Sequence, residues 1–317
     1  MTNYNQVFKQ EQYQAVSDRA AKYYQERDKG VNIPLVQAPI PDALEYRYVE
    51  FLESTSTYAS LDYDENRDFM DTIHSYTDIQ LYSQNCHIKV GANDVRNFGA
   101  QLIADKNDAQ LRKWTVDIDD GNFHGPKNEA GIQLAEGIIG QLTSLENLNG
   151  TDSNLATKGY IWKAIIKMMN QIPFAMREEG PDMILFMTSN LYKKLTSPDR
   201  IYLEVLEYDM IKKYLMNDAE HGFKISKIII TDKILAEASD DTDGDNADTA
   251  DTQGTHDRML LIVPDTRWIG RITSASFKKV GEGRSDLGDV RLHYSHRYRA
   301  AVFNTNAAVY TEALVWA

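Results

Sequence analysis

Seven histidines and one cysteine are the side chains best suited to metal or nucleophilic chemistry. His293 and His296 lie closest together, in a β-prone run. Residues three apart in a strand point to opposite faces, so this pair cannot share an ion. Cys86 and His87 would form a thiol–imidazole pair, but adjacent residues of a strand also face apart, which argues against a nucleophile and its base. Asp241, Asp243 and Asp245 place oxygen ligands at the first, third and fifth positions of a calcium loop. The sixth position is Asn246 instead of Gly, and the twelfth is Thr252 instead of Glu. A solvated acidic loop is therefore preferred to a cation site. Gly281-Glu282-Gly283 is too short for a dinucleotide loop and reads as a turn. No GxSxG, P-loop, HExxH or GxGxxG motif is present. Neither a catalytic residue nor a cofactor is assigned.

The elements that would carry these residues follow from periodicity. Residues 6–29 read as a polar helix or arm with a thin apolar stripe of Phe8, Val16, Ala20 and Tyr23. Pro34, Pro39 and Pro41 then enforce an extended connector. Residues 54–88 contain neither Gly nor Pro. Around Asp62, Asp64, Glu65, Asp68 and Asp71 they are strongly polar, between β-prone flanks. They read as a long two-stranded hairpin, and a ribbon of that kind needs a surface to rest on. Val95, Phe98, Leu102, Leu111, Trp114 and Ile118 predict a helix over about 93–120, capped by Asn93. Lys106-Asn107-Asp108 is expected to weaken it, and Asp119-Asp120-Gly121 to end it.

Further on, Ile161, Ile165, Met168, Met169 and Ile172 predict a second helix, stopped by Pro173. Met183–Met187 is a buried-type strand. A short helix follows through Leu195. Ser197-Pro198-Asp199 is read as opening another helix, which carries Ile201, Val205, Met210, Ile211 and Leu215. Lys227–Ile230 and Met259–Val263 are further strands, and Val290–Val315 contains two or three more. The fold class is α+β.

Composition narrows the function. The net charge is −13 over 317 residues, so the average surface repels phosphate. From Arg267 to Arg299, however, eight Lys or Arg stand against three acids. That run could face a neighbour's acidic loops, the phosphates of DNA or plain solvent. The N-terminus does not read as a signal peptide, and no apolar stretch is long enough for a membrane span.

The order of these segments resembles the major capsid protein of tailed double-stranded DNA viruses, a fold shared with encapsulins. The resemblance rests on Asp120-Gly121-Asn122-Phe123-His124-Gly125, on Gly137-Ile138-Ile139-Gly140-Gln141-Leu142, and on Arg297-Tyr298-Arg299-Ala300-Ala301-Val302 leading to Val309. It implies an N-terminal arm at 1–40 and an extended hairpin loop at 54–88. It implies a peripheral domain from 41–53, 89–180 and 288–317, containing the spine helix, and an axial domain at 181–287. The implied role is structural and not enzymatic: self-association through pentamers and hexamers into an icosahedral shell around double-stranded DNA. The DNA would be enclosed without sequence-specific binding, and no membrane is involved. The implied location is the virion, with assembly in the host cytoplasm. Portal, scaffolding or decoration proteins are possible partners. An encapsulin-type shell enclosing cargo enzymes is the alternative, although encapsulins usually lack a long arm.

On this reading the acidic hairpin residues Asp62, Asp64, Glu65, Asp68 and Asp71 would pair with Lys163, Lys167, Arg177, Lys193 or Lys194 of a neighbour. Some capsids of the family lock covalently through a lysine on the extended loop. Residues 54–88 contain no lysine. Hot denaturing detergent should therefore release single chains, and a ladder of covalent oligomers would refute this.

Overall fold

The computed structural model describes residues 29–52, 73–142, 144–145, 161–197, 201–202, 205–234, 257–284 and 290–311. The arm before residue 29, the acidic hairpin segment 53–72 and the acidic loop 235–256 lie outside the described residues. The fold is α+β, with two sheets joined by one long helix.

The first sheet has the order β1-β11-β12-β4. Its strands are β1 (Leu35–Gln37), β4 (Tyr82–Val90), β11 (Ile269–Arg284) and β12 (Val290–Val302). The run of prolines does give an extended path, and β1 pairs in parallel with β11. In β12, Tyr294, His296, Tyr298 and Ala300 are buried, while His293, Ser295, Arg297 and Arg299 are half-exposed. That alternation seats one face of the sheet against the spine helix α1 (Ala92–Phe123). Leu111, Trp114 and Ile118 supply the buried stripe of the helix. Trp114 meets His296 edge-on, with ring centroids 6.3 Å apart.

The second sheet has the order β5-β13-β10-β6-β9. Its strands are β5 (Ser144–Leu145), β6 (Met183–Met187), β9 (Ile225–Ile230), β10 (Met259–Ile262) and β13 (Ala308–Thr311). Strand β6 is buried on both faces, as its uninterrupted apolar run implies. Met183, Leu185 and Met187 pack under a helical layer with Met259 and Leu261. This layer comprises α3 (Ile161–Gln171), α5 (Ser189–Leu195) and α6 (Glu207–Ile211). Ile184 and Phe186 face the other way, toward Phe123 and Ile138 of the short helix α2 (Ile138–Gln141). Phe123 and Phe186 meet at 5.5 Å, so the C-terminal end of the spine helix enters the core of both sheets. Arg177 belongs to the short helix α4 (Phe174–Glu179).

The buried carboxylate of Glu207 accepts a hydrogen bond from the Trp162 amide at 2.8 Å, at the first turn of α3. It satisfies one of the amides that a helix start leaves without a partner. At the other polarity, Asp119 and Asp120 lie in the last turn of the spine helix, where the helix dipole disfavours acids. Each has a compensating partner. Asp119 accepts from the Gly30 amide at 2.7 Å, and Asp120 lies 3.4 Å from Lys233 and 3.8 Å from Lys127.

Several expectations are corrected. The spine helix runs through Lys106-Asn107-Asp108 and past Gly121 to Phe123, with Gly91 at its N-cap in place of Asn93. Propensity at Gly121 yields to burial of Phe123. The helix expected from Ser197-Pro198-Asp199 does not carry Ile201 or Val205, and Pro198 and Asp199 lie outside the described residues. Ile201–Tyr202 and Val205–Leu206 pair as the short strands β7 and β8. The helix begins only at Glu207 and continues as a π-helical turn, Lys212–Asn217. β-branched and aromatic residues favour strand there. Gly281-Glu282-Gly283 lies within β11 and is not a turn. The ribbon consists of β2 (Glu45–Leu52) and β3 (Ile73–Gln80), so its arms start before residue 54. Residues 82–88, assigned to the hairpin, pair instead with β12. The two sheets also do not divide at residues 180 and 287, because β13 pairs with β10 and β11 pairs with β12.

Close approach requires glycine at several positions, Gly125 and Gly121 among them. A Cβ on Gly125, at φ +112°, would lie 1.9 Å from the Ala135 carbonyl oxygen. One on Gly121 would lie 2.2 Å from the Tyr298 hydroxyl oxygen, and Tyr298 is fully buried. Gly121→Ala should therefore destabilise the fold by about 1–3 kcal/mol through overpacking. Adding Tyr298→Phe, which removes the clashing oxygen, should recover part of the loss. Chemical denaturation of the single and double variants checks both expectations.

Candidate functional site

Among the described residues no three His, Cys, Asp or Glu side chains converge to hold a metal. Cys86 is buried, and desolvation first, with the nearby Asp117 charge second, pushes its thiol up to about 11. Such a thiol is a poor nucleophile at neutral pH. Cys86 faces inward and His87 outward, the alternation expected for a strand. His87 instead stacks on His293 across the β4–β12 pair, with centroids 4.1 Å apart. Sequence reading paired each of these histidines with a near neighbour and missed the cross-strand partner, which only the register reveals. No helix among the described residues is long and apolar enough to cross a membrane.

The chemistry of this chain lies in its surfaces. Of the proposed cationic partners, Lys163 and Lys167 lie on the exposed face of α3, and Lys193 and Lys194 on that of α5. All four stand on the same helical layer. Arg177 does not join them, because it is buried. Its Nε donates to the Ile172 carbonyl at 3.1 Å, and Nη1 donates to the Gly222 carbonyl at 3.2 Å. The Phe223 ring lies 4.6 Å from the guanidinium. Burial holds its pKa below the ordinary value. Its charge braces a turn, so Arg177 is withdrawn as a contact for another subunit. Asp62, Asp64, Glu65, Asp68, Asp71, Asp241, Asp243 and Asp245 all lie outside the described residues.

The base of the ribbon is anchored on its own chain by aromatic packing. Tyr48 stacks on Phe303 at 4.3 Å with an 8° angle between the rings, and Tyr46 lies 6.4 Å from the same ring. The Tyr48 hydroxyl donates to the Arg267 carbonyl at 3.1 Å. The other side of the ribbon is polar. Arg47 donates twice to Asp78, at 2.7 and 2.9 Å. This pairing raises the Arg47 pKa and lowers that of Asp78. Before the ribbon, the turn at 38–44 is held from beneath. The Asp42 amide donates to the Ser274 carbonyl at 2.9 Å, the Ser274 hydroxyl donates to the Ala43 carbonyl at 2.7 Å, and Arg297 donates to the Asp42 carbonyl. This fixed turn presents Ile40 and Leu44 to solvent, each 66% exposed.

Several solved structures resemble this geometry. The capsid of Myoviridae phage XM1 matches with a TM-score of 0.60 at 12% identity, over 89% of this chain and 90% of that one. The chain has the fold of tailed-phage capsid proteins. The capsid of the native GTA particle matches at 0.53 and 10% identity, over 90% of each chain. A virus-like particle from Pyrococcus furiosus matches at 0.51 and 10%, over 94% and 98%. No protein-family model matches the sequence, and no curated protein does.

One titratable site joins two corners of this fold. His221 Nδ1 lies 3.1 Å from Asp182 Oδ1, and Nε2 lies 2.8 Å from the Glu178 carbonyl. Only the imidazolium can donate to both oxygens. The Asp182 hydrogen bond first, and the Glu178 carbonyl second, raise its pKa above the ordinary value. Because the folded value is raised, the contribution to stability is complete below about pH 6.5. It is lost as pH rises through the folded value. NMR titration should give His221 a midpoint above the usual histidine range, and Asp182→Asn should lower it. A midpoint unchanged by that substitution would discount the pairing.

Proposed function

We propose that this chain is the shell-forming subunit of a tailed-virus capsid, assembling through pentamers and hexamers into an icosahedral shell around double-stranded DNA. The observation that supports it most is the capsid fold itself, matched over 89% of the chain. The division of labour follows. Residues 1–40 act as an arm, of which the part from Lys29 is docked on the body. The ribbon around 54–88 reaches toward an adjacent subunit. Residues 41–53, 89–180 and 288–317 would form most of the peripheral part and 181–287 most of the axial part near the ring centres, with β11 exchanged into the first sheet and β5 and β13 into the second.

Closed shells need contacts in several directions from one chain. A ribbon of two strands gains little stability alone, so its far end would be completed by another copy. Lys163, Lys167, Lys193 and Lys194 put positive charge on the helical layer of a chain whose net charge is −13. There they would face acidic surfaces of adjoining subunits. The shell would form in the host cytoplasm and persist in the virion. Portal, scaffolding and decoration proteins are its natural partners, the DNA being held without sequence-specific contacts. An encapsulin-type cargo shell is the second reading, favoured by the likeness to a virus-like particle.

Electron microscopy of the purified protein tests the proposal. Closed particles of uniform diameter are the expected result, and a chain that stays monomeric at high concentration would overturn it. Nuclease-protected duplex DNA inside particles made during infection identifies the virus shell. A copurifying enzyme identifies the cargo shell.

A further inference from the structure

On the face of the first sheet turned away from the spine helix, His87 of β4 stands directly opposite His293 of β12. Their rings stack with centroids 4.1 Å apart and 23° between the planes. The register that sets this contact is held from the other face, where the neighbouring Cys86 and Tyr294 pair and are buried. Directly opposite residues of an antiparallel pair hold their Cβ atoms about 5 Å apart, so two imidazoles there can reach one point. His293 Nε2 is shut from water and has no hydrogen-bond partner. A buried polar nitrogen left in that state is costly unless something binds it. On the far side of His293, β11 is bulged between Lys279 and Gly281, and the residue set beside the imidazole is Gly281, which has no side chain to fill the space. Bulges are over-represented next to functional sites.

We infer that His87 and His293 form a two-histidine chelate for a transition-metal dication of the Zn²⁺ and Ni²⁺ class. Like nitrogens of parallel rings at this spacing lie about 4 Å apart, and a tetrahedral ion with bonds of about 2.0–2.1 Å needs them about 3.3 Å apart. Small rotations of the two side chains close that gap without moving either strand. Imidazole nitrogen suits these ions, whereas Mg²⁺ and Ca²⁺ seek oxygen. No third His, Cys, Asp or Glu joins the pair among the described residues, so the remaining coordination positions are open to water. A chelate carried on two paired strands is ordered before the ion arrives, and binding then loses little side-chain entropy. Lys89 and Arg291 pair two residues along the same face, and their charges repel a dication. On the other side Asn85 and Ser295 are uncharged. The balance gives an exchangeable ion and not a permanent structural centre. His221 offers no comparable site, because Asp182 and the Glu178 carbonyl engage both of its nitrogens. Nothing in the chelate depends on the shell reading.

Isothermal titration of the purified chain with Zn²⁺ and with Ni²⁺, in excess Mg²⁺, tests this. One ion per chain is expected at this site. His87→Asn and His293→Asn should each weaken uptake at least about tenfold, because one nitrogen is left where the chelate needs two. His221→Ala should leave uptake unchanged. Lys89→Gln with Arg291→Gln removes like charge and no ligand, and should tighten binding about threefold, a response that a metal site elsewhere would not give. Co²⁺ should produce a visible absorption band that either histidine variant abolishes. Circular dichroism and thermal unfolding without metal separate a folding defect from the loss of a ligand. His87 is exposed, so His87→Asn should match wild type in both. If wild type takes up no ion at millimolar concentration, the two rings only stack and the inference is overturned. If both histidine variants bind as wild type does, the ion sits elsewhere and the inference is equally wrong. Either result leaves the shell reading untouched.

Discussion

Strand β12 has to place Tyr294, Tyr298 and Ala300 under the spine helix, and most of what the molecule presents outward follows from that. A strand alternates its side chains with a period of two, so a fixed inner row also fixes an outer row. The outer row is Arg291, His293, Ser295, Arg297 and Arg299. A slip of one residue would drive three guanidinium groups under the helix. Burying unpaired charge costs several kcal/mol each, so the register is doubly determined. The same alternation sets β4, whose Cys86, Ile88 and Val90 are buried while His87 and Lys89 face out. The close fit of Gly121 against Tyr298 secures the position of the helix along this seat. Phe123, two residues later, then ties the seat to the second sheet.

Parts of this were legible in the sequence because their signals were local. The apolar spacing from Ile161 to Ile172 gave α3, and unbroken apolar runs gave β6 and β10. The α+β class and the order of segments, which carried the capsid resemblance, came from the same features. The failures occurred where a distant partner decides. Asp119-Asp120-Gly121 has turn chemistry, but the core needs Phe123, and the helix continues to deliver it. Gly281 and Gly283 lower strand propensity, but β12 supplies a long pairing partner that overrides it. Arg177 had the composition of a surface cation. Its burial depends on Gly222 and Phe223, some 45 residues away, bringing a carbonyl and a ring to it. The cross-strand His87–His293 contact is likewise a matter of register, and no spacing rule within one segment reveals it.

A net charge of −13 opposes association of identical chains. Exposed ion pairs contribute about 0–1 kcal/mol each. Stabilisation of any such association has to come mainly from apolar area removed from water. Ile40 and Leu44 are well suited to that role. A freely moving loop would lose conformational entropy on docking, at about 0.5–1.5 kcal/mol for each immobilised side chain. The 38–44 turn is already fixed by Ser274 and Arg297, which lowers that cost before any contact is made. Arg297 is the link between the two effects. Its guanidinium holds the turn that presents the apolar pair, while its position in β12 places it in the cationic row. The same guanidinium therefore couples an exposed apolar pair to a charged strand, so a change at position 297 reaches both surfaces.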